Sequence, residues 1–329
     1  MDSVIAYPKA GCEEGQDINN DIPKSQDLHV MLDKMFESYV KLQNTGFKWD
    51  LKYRGKVYRD VEFVLFTPVL KLDSDEAEKI CGKFTSRAGK VKNLCRYCEC
   101  TTDDTDDPFA NYPMKTKAKI KSMCDNNDVE GLLNISQHCI KNSMNKIRFG
   151  YHNVRGIHGV CPMDMLHALL LGIFKYIRDC FFQQIGPDSK LADDINACAC
   201  QYGEFISRQS DRDFPTTRFN NGVRRGKLNA KDFPGISLCL AVTLRCHTIR
   251  SQLPKRKQNM RVLGAVEDWQ MLIESLLQWE RWLKSDRLQV RHVVRAKKKH
   301  RHLMYLIKNI GRRVEGMGLK TTNFTALCT

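Results

Sequence analysis

The chain has 329 residues, 42% of them hydrophobic and 28% charged, a composition that suits a folded protein with a buried core. Lysine and arginine number 53 against 38 aspartate and glutamate, so the formal net charge is +15, and this excess favours a polyanionic partner. No apolar run approaches the roughly 20 residues that cross a bilayer, so we expect no contact with a membrane.

The cysteines indicate the expected compartment. The sequence contains 14 of them, a number that would suggest a disulfide scaffold only in a short, secreted chain. The N-terminal stretch MDSVIAYPKAGCEEGQDINND is polar and acidic, unlike a signal or transit peptide. We therefore expect an intracellular protein with reduced thiols, some of them available to bind a metal.

Four segments of the chain differ in their sequence patterns. The first is irregular, the second has a helix followed by strands, the third is broken by cysteines and an acidic loop, and the last has long helical periodicity. Their predicted boundaries are 1–24, 25–75, 76–160 and 161–329. Together they predict a helix-rich α/β protein with a large helical domain at its C-terminal end.

The second segment begins with a predicted helix and continues with strands. Apolar residues at helical spacing predict a helix from Leu28 to Gly46, with Asp27 as its N-cap. Two strands are predicted after it, Phe47–Tyr53 and Val57–Leu72, joined by a glycine-containing turn. The second strand contains the nearly continuous apolar run VEFVLFTPVLKL, which is typical of a buried strand.

An acidic residue, Asp73, directly follows this apolar run. Sites that transfer phosphoryl groups with two metal ions need carboxylates projecting from strand ends to hold Mg²⁺ or Mn²⁺. Asp73 is therefore a candidate metal ligand. The simpler alternative is that this aspartate begins a turn, which is the more common role of an acid after an apolar run.

Cys95 and Cys98 form a CxxC motif in the third segment. Two thiolates at this spacing can bind one tetrahedral zinc ion from a tight turn, although no second CxxC follows at the spacing of a zinc finger. The other possible donors are His138, Cys139, His152, His158, Cys161 and His167. The alternatives are plain buried or free cysteines and, with least support, a redox pair, which would need a thioredoxin-like context.

The helical segment opens with Pro162 and Asp164, which suit a helix start. Asp164 and His167 are three residues apart and so share one helical face, where an acid can orient a histidine beside a metal. Alternatively, Asp164 complements the helix dipole and His167 is a satisfied core histidine. Helices are predicted at 163–184, 188–207, 228–250, 266–284 and 287–316, the fourth with a tryptophan- and leucine-rich stripe that we assign to the core.

Basic residues concentrate near the C-terminal end. Between Lys284 and Lys320 there are twelve Lys or Arg and two acids, a pattern that predicts contact with nucleic-acid phosphates. A nuclear-import signal has the same sequence pattern, and a solvated helix face explains part of it. The candidate phosphate-binding residues are Arg291, Arg295, Lys297, Lys298, Lys299 and Arg301, with a second cluster at Arg224, Arg225 and Lys227.

Three of these motifs, in this order, give the chain a resemblance to a known family. The sequence resembles transposases of the CACTA type, most closely the Plavaka-like branch, from about residue 20 to about residue 320. DIPKSQDLHVMLDKMFESYVKLQNTGFKWD is similar to the family's Pro-rich turn and helix. The resemblance places Asp73 at the second catalytic acid, Cys95 and Cys98 on the family's CxxC, and Asp164 and His167 on its D-x-x-H helix.

The resemblance implies an incomplete RNase H-like core with a zinc-associated insertion and a large helical region. The family's first acid precedes the Pro-rich turn and its last acid follows the basic helix, so only Asp73 of the three can be assigned. We therefore expect a fragment of a cut-and-paste DNA transposase that binds DNA in the nucleus, is catalytically incomplete and has no small-molecule substrate. Zinc would be bound by Cys95 and Cys98 with His158 or His167, Mg²⁺ or Mn²⁺ would bind only in a completed site, and a homo-oligomer is a possible partner. The alternative is a non-catalytic nuclear DNA-binding or adaptor protein derived from such an element.

Overall fold

The computed structural model describes residues 18–84, 91–93, 95–101, 111–186, 189–207, 229–230, 232–252, 266–285 and 289–311. In these ranges the protein is helix-rich, as predicted, and its sheet has two antiparallel strands. None of the described helices combines the length and apolar character needed to cross a membrane.

The elements fall into an N-terminal and a C-terminal group. The first group comprises α1 (Ile18–Met35), α2 (Glu37–Thr45), β1 (Phe47–Tyr53), β2 (Lys56–Phe63), α3 (Ser74–Cys81), α4 (Lys117–Asp125), α5 (Val129–Asn134), two 3₁₀ turns (Ser143–Lys146 and Gly150–His152) and α6 (Ile157–Val160). The second comprises a π-helix (Leu166–Phe174), α7 (Lys175–Ile185), α8 (Lys190–Ser207), α9 (Asp232–Thr243), α10 (His247–Gln252), α11 (Val266–Leu283) and α12 (Val290–Asn309).

The first predicted helix is present, but it starts earlier and is divided in two. Asp27 lies inside α1, so its prediction as an N-cap is wrong, and the part of the predicted lead-in from residue 18 onward is already helical. Gly46 ends α2 as predicted, with a positive φ of 66° and an N–H that donates to Leu42 O at 2.9 Å. A side chain at Gly46 would also meet Phe63 O at 3.0 Å, so glycine is needed there.

The β1–β2 hairpin forms at the predicted turn. Arg54 and Gly55 both have positive φ, 50° and 75°, as a tight two-residue hairpin turn requires. The cross-strand pairs place Phe47 opposite Phe63 at the open end and Leu51 opposite Tyr58 near the turn, with an irregularity between them. Every residue of β1 and most of β2 are exposed, so the hairpin projects from the rest of the protein.

The second strand is shorter than predicted, and it is not buried. It ends at Phe63, and residues 64–73 have no regular structure, with Val64 and Phe66 each 57% exposed. Pro68 explains part of the difference because its nitrogen cannot donate to a strand ladder. The prediction that Asp73 follows a buried strand is therefore wrong. The RNase H-like core stays a prediction.

Two large hydrophobic cores hold the elements in place, and a smaller third cluster is formed by Cys95, Tyr97, Cys98 and Cys100. The N-terminal core is formed by Leu32, Ala77, Cys81, Met144, Ile147, Phe149, Ile157, Val160 and Cys161. The larger core unites the second group of helices, and α11 contributes Trp269, Leu272, Ile273, Leu276 and Trp279 to it. The predicted assignment of this stripe to the core is confirmed.

The predicted C-terminal helices are present with small changes in their bounds. The helix predicted at 228–250 is divided into α9 and α10, and the one predicted at 163–184 starts as a π-helix before it becomes α7. A π-helix is wider than an α-helix and is commonly found at functional sites. Gly186 ends α7.

Candidate metal centre and nucleic-acid interface

The CxxC cysteines are side by side on a buried turn. Cys95 and Cys98 are 2% and 4% exposed, and the N–H of Tyr97 donates to Cys95 Sγ at 3.4 Å. A hydrogen bond from the Cys98 thiol is the main cause that lowers the pKa of Cys95 to about 6. The same contact raises the pKa of Cys98 well above its ordinary value. The contact between the two thiols therefore favours ionisation of Cys95 over ionisation of Cys98.

A buried lysine lies beside this turn. The Nζ of Lys115, which is 0% exposed, donates to Asn93 Oδ1 at 2.8 Å, Cys95 O at 2.9 Å and Ile135 O at 3.0 Å. Burial lowers the pKa of Lys115 to about 8, and its charge contributes to the lowered pKa of Cys95. The Lys115 amine therefore lies against the backbone of the CxxC turn, and both Lys115 and Cys95 are removed from solvent.

The two histidines predicted as further zinc ligands do not join the cysteine pair. His158 is buried, its Nδ1 lies 3.2 Å from Arg96 O, and burial lowers its pKa to about 3, which keeps the imidazole neutral. His167 pairs with Asp164 instead. Over the described ranges no three His, Cys, Asp or Glu side chains are grouped so that they could share one metal ion. The structure thus provides two thiol donors of the predicted four-ligand site.

Asp164 and His167 interact as the D-x-x-H spacing predicted. The Asp164 carboxylate accepts hydrogen bonds from the N–H of Leu166 at 2.9 Å and from His167 Nδ1. The His167 side chain is 47% exposed, so the alternative of a buried core histidine is wrong. The pair lies on the surface at the start of the π-helix, where it is accessible to a ligand.

Asp73 is the N-cap of α3. Its Oδ1 accepts from the N–H of Glu76 at 2.8 Å, and the residue is exposed. The simpler sequence interpretation placed Asp73 at the beginning of a turn, whereas the structure places it at the beginning of a helix. In the part of the chain that the structure describes, no second and third acid join Asp73 in a metal-binding group.

The segments that carry the three motifs nevertheless contact one another through hydrogen bonds. Leu70, three residues before Asp73, donates its N–H to Val160 O at 3.0 Å. From the CxxC turn, Arg96 Nη2 donates to Pro162 O at 2.9 Å and Tyr97 OH donates to Cys161 O at 2.9 Å. The segment that leads into the D-x-x-H helix therefore contacts both other motifs, which are distant from it in sequence.

Helix α12 presents a basic surface. Its sequence, VRHVVRAKKKHRHLMYLIKN, has seven Lys or Arg and no acid. Ala296, Leu303 and Ile307 face the core, whereas Arg291, Arg295, Lys297, Lys298, Lys299 and Arg301 are all exposed. Among the described residues none of these six forms an ion pair. Arg224, Arg225 and Lys227 lie outside the described residues.

Two features of the candidate sites were not found from the sequence. Lys115 is one lysine among many, and no local pattern indicates that its ammonium is buried against the CxxC turn. The hairpin turn Tyr53–Tyr58 combines exposed aromatic and basic side chains, a combination that the alternation of the strands could have indicated.

Comparisons with protein-family models, with curated proteins and with solved structures found no match to this chain.

Proposed function

We propose that the chain is a DNA-binding fragment of a CACTA-type, Plavaka-like transposase that is catalytically incomplete and acts in the nucleus. The observation that carries the proposal is the exposed basic face of α12, where the six cations from Arg291 to Arg301 form no ion pair among the described residues. A helix face of this kind follows a polyanionic backbone because each cation can replace a condensed counterion on DNA.

The contiguity of the three motifs supports the transposase relationship. The segments that carry Asp73, the CxxC pair and the Asp164–His167 pair touch through one backbone hydrogen bond and two from side chains to backbone, as parts of one ancestral centre should. In an intact relative, carboxylates would hold two divalent metal ions for attack on a phosphodiester. Asp73 would be one such ligand. The described residues do not fit that group, because they contain no set of three His, Cys, Asp or Glu side chains that could hold a metal ion, and we derive no catalytic step from it.

Zinc is proposed as a structural ion at the CxxC turn. Two adjacent thiols, one of them with a pKa lowered to about 6 by the hydrogen bond from the other, have the donor chemistry that zinc prefers. When bound, zinc would fix the turn that carries Arg96 and Tyr97 against the D-x-x-H segment. The structure supplies two of the four expected donors, so the remaining ligands stay unassigned.

A second candidate function is a non-catalytic nuclear DNA-binding or adaptor protein derived from such an element. The lack of a three-donor metal group among the described residues favours it, since binding through α12 does not depend on a carboxylate cluster. The two functions share the DNA contact, and neither requires this chain to cut DNA.

The DNA contact is tested by a charge-removal variant and a matched control. We expect Arg295→Gln/Lys298→Gln/Lys299→Gln to weaken binding to a labelled duplex at least tenfold and to reduce the slope of log affinity against log salt by about 3. The control Lys41→Gln/Lys141→Gln/Lys190→Gln removes three exposed charges elsewhere and should bind almost as the natural protein does. Equal loss in both variants, or in neither, would contradict the assignment of α12.

Catalysis is tested separately by a plasmid-nicking assay with Mg²⁺ or Mn²⁺. We expect binding without metal-dependent nicking. Nicking that is lost in Asp73→Asn and retained in Asp50→Asn, an aspartate of the hairpin, would show instead that the chain is a competent nuclease.

A further inference from the structure

The β1–β2 hairpin carries a row of exposed aromatic rings on one face. Trp49, Tyr53 and Tyr58 are 69%, 54% and 46% exposed. Trp49 and Tyr53 share a face because side chains alternate along a strand, and Tyr58 joins them because it pairs with Leu51 on the neighbouring strand. Rings that are solvated to this degree in a folded protein indicate a binding surface.

Positive charge surrounds these rings near the turn. The sequence from residue 51 to 59, LKYRGKVYR, contains Lys52, Arg54, Lys56 and Arg59 and no acid. Arg54 lies over the ring of Tyr53 at 5.2 Å from its centroid. Among the described residues none of the four cations forms an ion pair with an acid.

The two acids closest to the turn are used to shape the hairpin. Asp60 has a positive φ of 53°, and its N–H donates to the carboxylate of Asp50 at 3.0 Å. This contact fixes the irregularity between the pairs Trp49–Val61 and Leu51–Tyr58, as β-bulges do. The carboxylate of Asp50 is therefore engaged below the turn, and the turn itself stays basic.

From this arrangement we propose that the hairpin face formed by Trp49, Tyr53 and Tyr58 binds single-stranded DNA. Aromatic rings stack on unpaired bases regardless of sequence, and the neighbouring cations bind the phosphates between them. Bases in a duplex are already stacked on each other and do not offer their faces to a protein ring. The positive charge of the hairpin disfavours a basic protein surface as the partner and favours a polyanion. The inference goes beyond the duplex contact of α12, because it concerns another element and another form of DNA.

The test measures binding of the full chain to a fluorescent oligothymidylate, which has no secondary structure. We expect Tyr53→Ala/Tyr58→Ala to bind about 30-fold more weakly, since loss of one stacking ring costs about fivefold or more. Tyr53→Phe/Tyr58→Phe should restore most of the affinity, because stacking needs the ring and not the hydroxyl. Arg54→Gln/Lys56→Gln should bind more weakly and with a smaller dependence on salt.

Tyr151→Ala is the matched control, because this tyrosine is 100% exposed and lies outside the hairpin. It should bind as the natural protein does. The inference is overturned if the natural protein does not bind oligothymidylate, if the double alanine variant binds it equally well, or if that variant loses only self-association. The α12 variant described above separates the two proposals, since it should lose duplex binding and retain tyrosine-dependent binding to the single strand.

Discussion

At the scale of single residues, neighbours decide the chemistry of the cysteines more than burial does. Burial raises the pKa of Cys180 and of Cys239 to about 12 in the helical core, as expected for a thiol removed from water. Cys95 is buried as well, yet the hydrogen bond from Cys98 brings its pKa down to about 6. The hydrogen bond between neighbouring thiols thus outweighs burial at Cys95, whereas burial dominates at Cys180 and Cys239.

Zinc binding by Cys95 and Cys98 can be tested by measuring the metal content of the protein. The purified natural protein should contain close to one zinc ion per chain, and Cys95→Ser and Cys98→Ser should each lose most of it, because a serine oxygen is a poor ligand for zinc. Cys246→Ser, which changes a free and partly exposed cysteine far from the turn in sequence, is the control. Metal content is measured by atomic absorption together with circular dichroism, and a folded natural protein without zinc would refute the zinc site.

Gly82 and Gly55 both have positive φ but differ in the space around them. Gly82 ends α3 with φ of 71°, and a Cβ there would lie 2.7 Å from Ile140 Cδ1, whereas Gly55 has φ of 75° and nothing within 4 Å. We expect Gly55→Ala to cost about 1 kcal/mol from backbone strain alone. Gly82→Ala should cost about 1–3 kcal/mol more because it also overpacks the core. Urea unfolding of both variants measures the difference, and equal costs would contradict the packing argument.

At the scale of elements, α11 and α12 meet through aromatic rings. Trp279 stacks on Trp282 with 5.1 Å between centroids and contacts the His300 ring at 5.3 Å. His300 is 9% exposed, and no other described residue makes a hydrogen bond to either of its ring nitrogens. Burial lowers the pKa of His300 to about 4, so the helix pair packs around a neutral imidazole.

This interface predicts a dependence of stability on pH. In the unfolded chain an imidazole titrates near 6.5, so between that value and about 4 the unfolded state binds more protons than the folded state. The contribution of His300 to stability is therefore complete above pH 6.5 and is lost as the pH falls to about 4. His300→Phe should reduce the loss of unfolding free energy between pH 7 and pH 4.5 by roughly 1–3 kcal/mol. An unchanged pH profile in the variant would contradict this account.

The sequence predicted the helices better than the strands, for a physical reason. Helical periodicity over many residues located the stripe of Trp269, Leu272 and Leu276 correctly, because burial repeats with the turn of the helix. A continuous apolar run has no such period. The run that ends at Leu72 therefore predicts a buried strand that the structure does not contain. In the structure that segment crosses the N-terminal core as irregular chain, with Leu70 and Leu72 only partly buried.

For the candidate sites too, local sequence patterns were the part that could be predicted. Local spacings such as CxxC and D-x-x-H correctly brought Cys95 to Cys98 and Asp164 to His167. Donors distant in sequence could not be placed, because their proximity depends on tertiary packing that no local pattern encodes. His158 illustrates this limit: it contacts the carbonyl of Arg96 inside the CxxC turn, yet it belongs to no metal-binding group in the described chain.

At the scale of the whole molecule, two cores lie on either side of the segment that joins the candidate sites. Met144 and Phe149 are central to the N-terminal core, and Leu276 to the helical one. Residues 160–164 connect them and hold hydrogen bonds to the CxxC turn. The basic helix α12 belongs to the helical core, and the hairpin follows α2 on the N-terminal side.

Separate cores predict separate responses to destabilisation. Leu276→Ala should cost about 2–5 kcal/mol and speed amide hydrogen exchange in α7–α12, with little change in α3–α6. Phe149→Ala should have the opposite pattern. Exchange measured by mass spectrometry on peptides from both groups tests this, and a uniform increase in either variant would show that the two cores unfold as one unit.

The hairpin has one more consequence, which follows from its open edges. No strand in the described chain pairs with the outer side of β1 or β2, and such edges attract strands from other molecules unless charged side chains discourage it. Lys48, Lys52 and Lys56 supply that repulsion between free copies. A polynucleotide that neutralised these lysines would remove this repulsion. The hairpins of neighbouring protein molecules on one polynucleotide could then pair edge to edge, and the protein would bind the polynucleotide cooperatively.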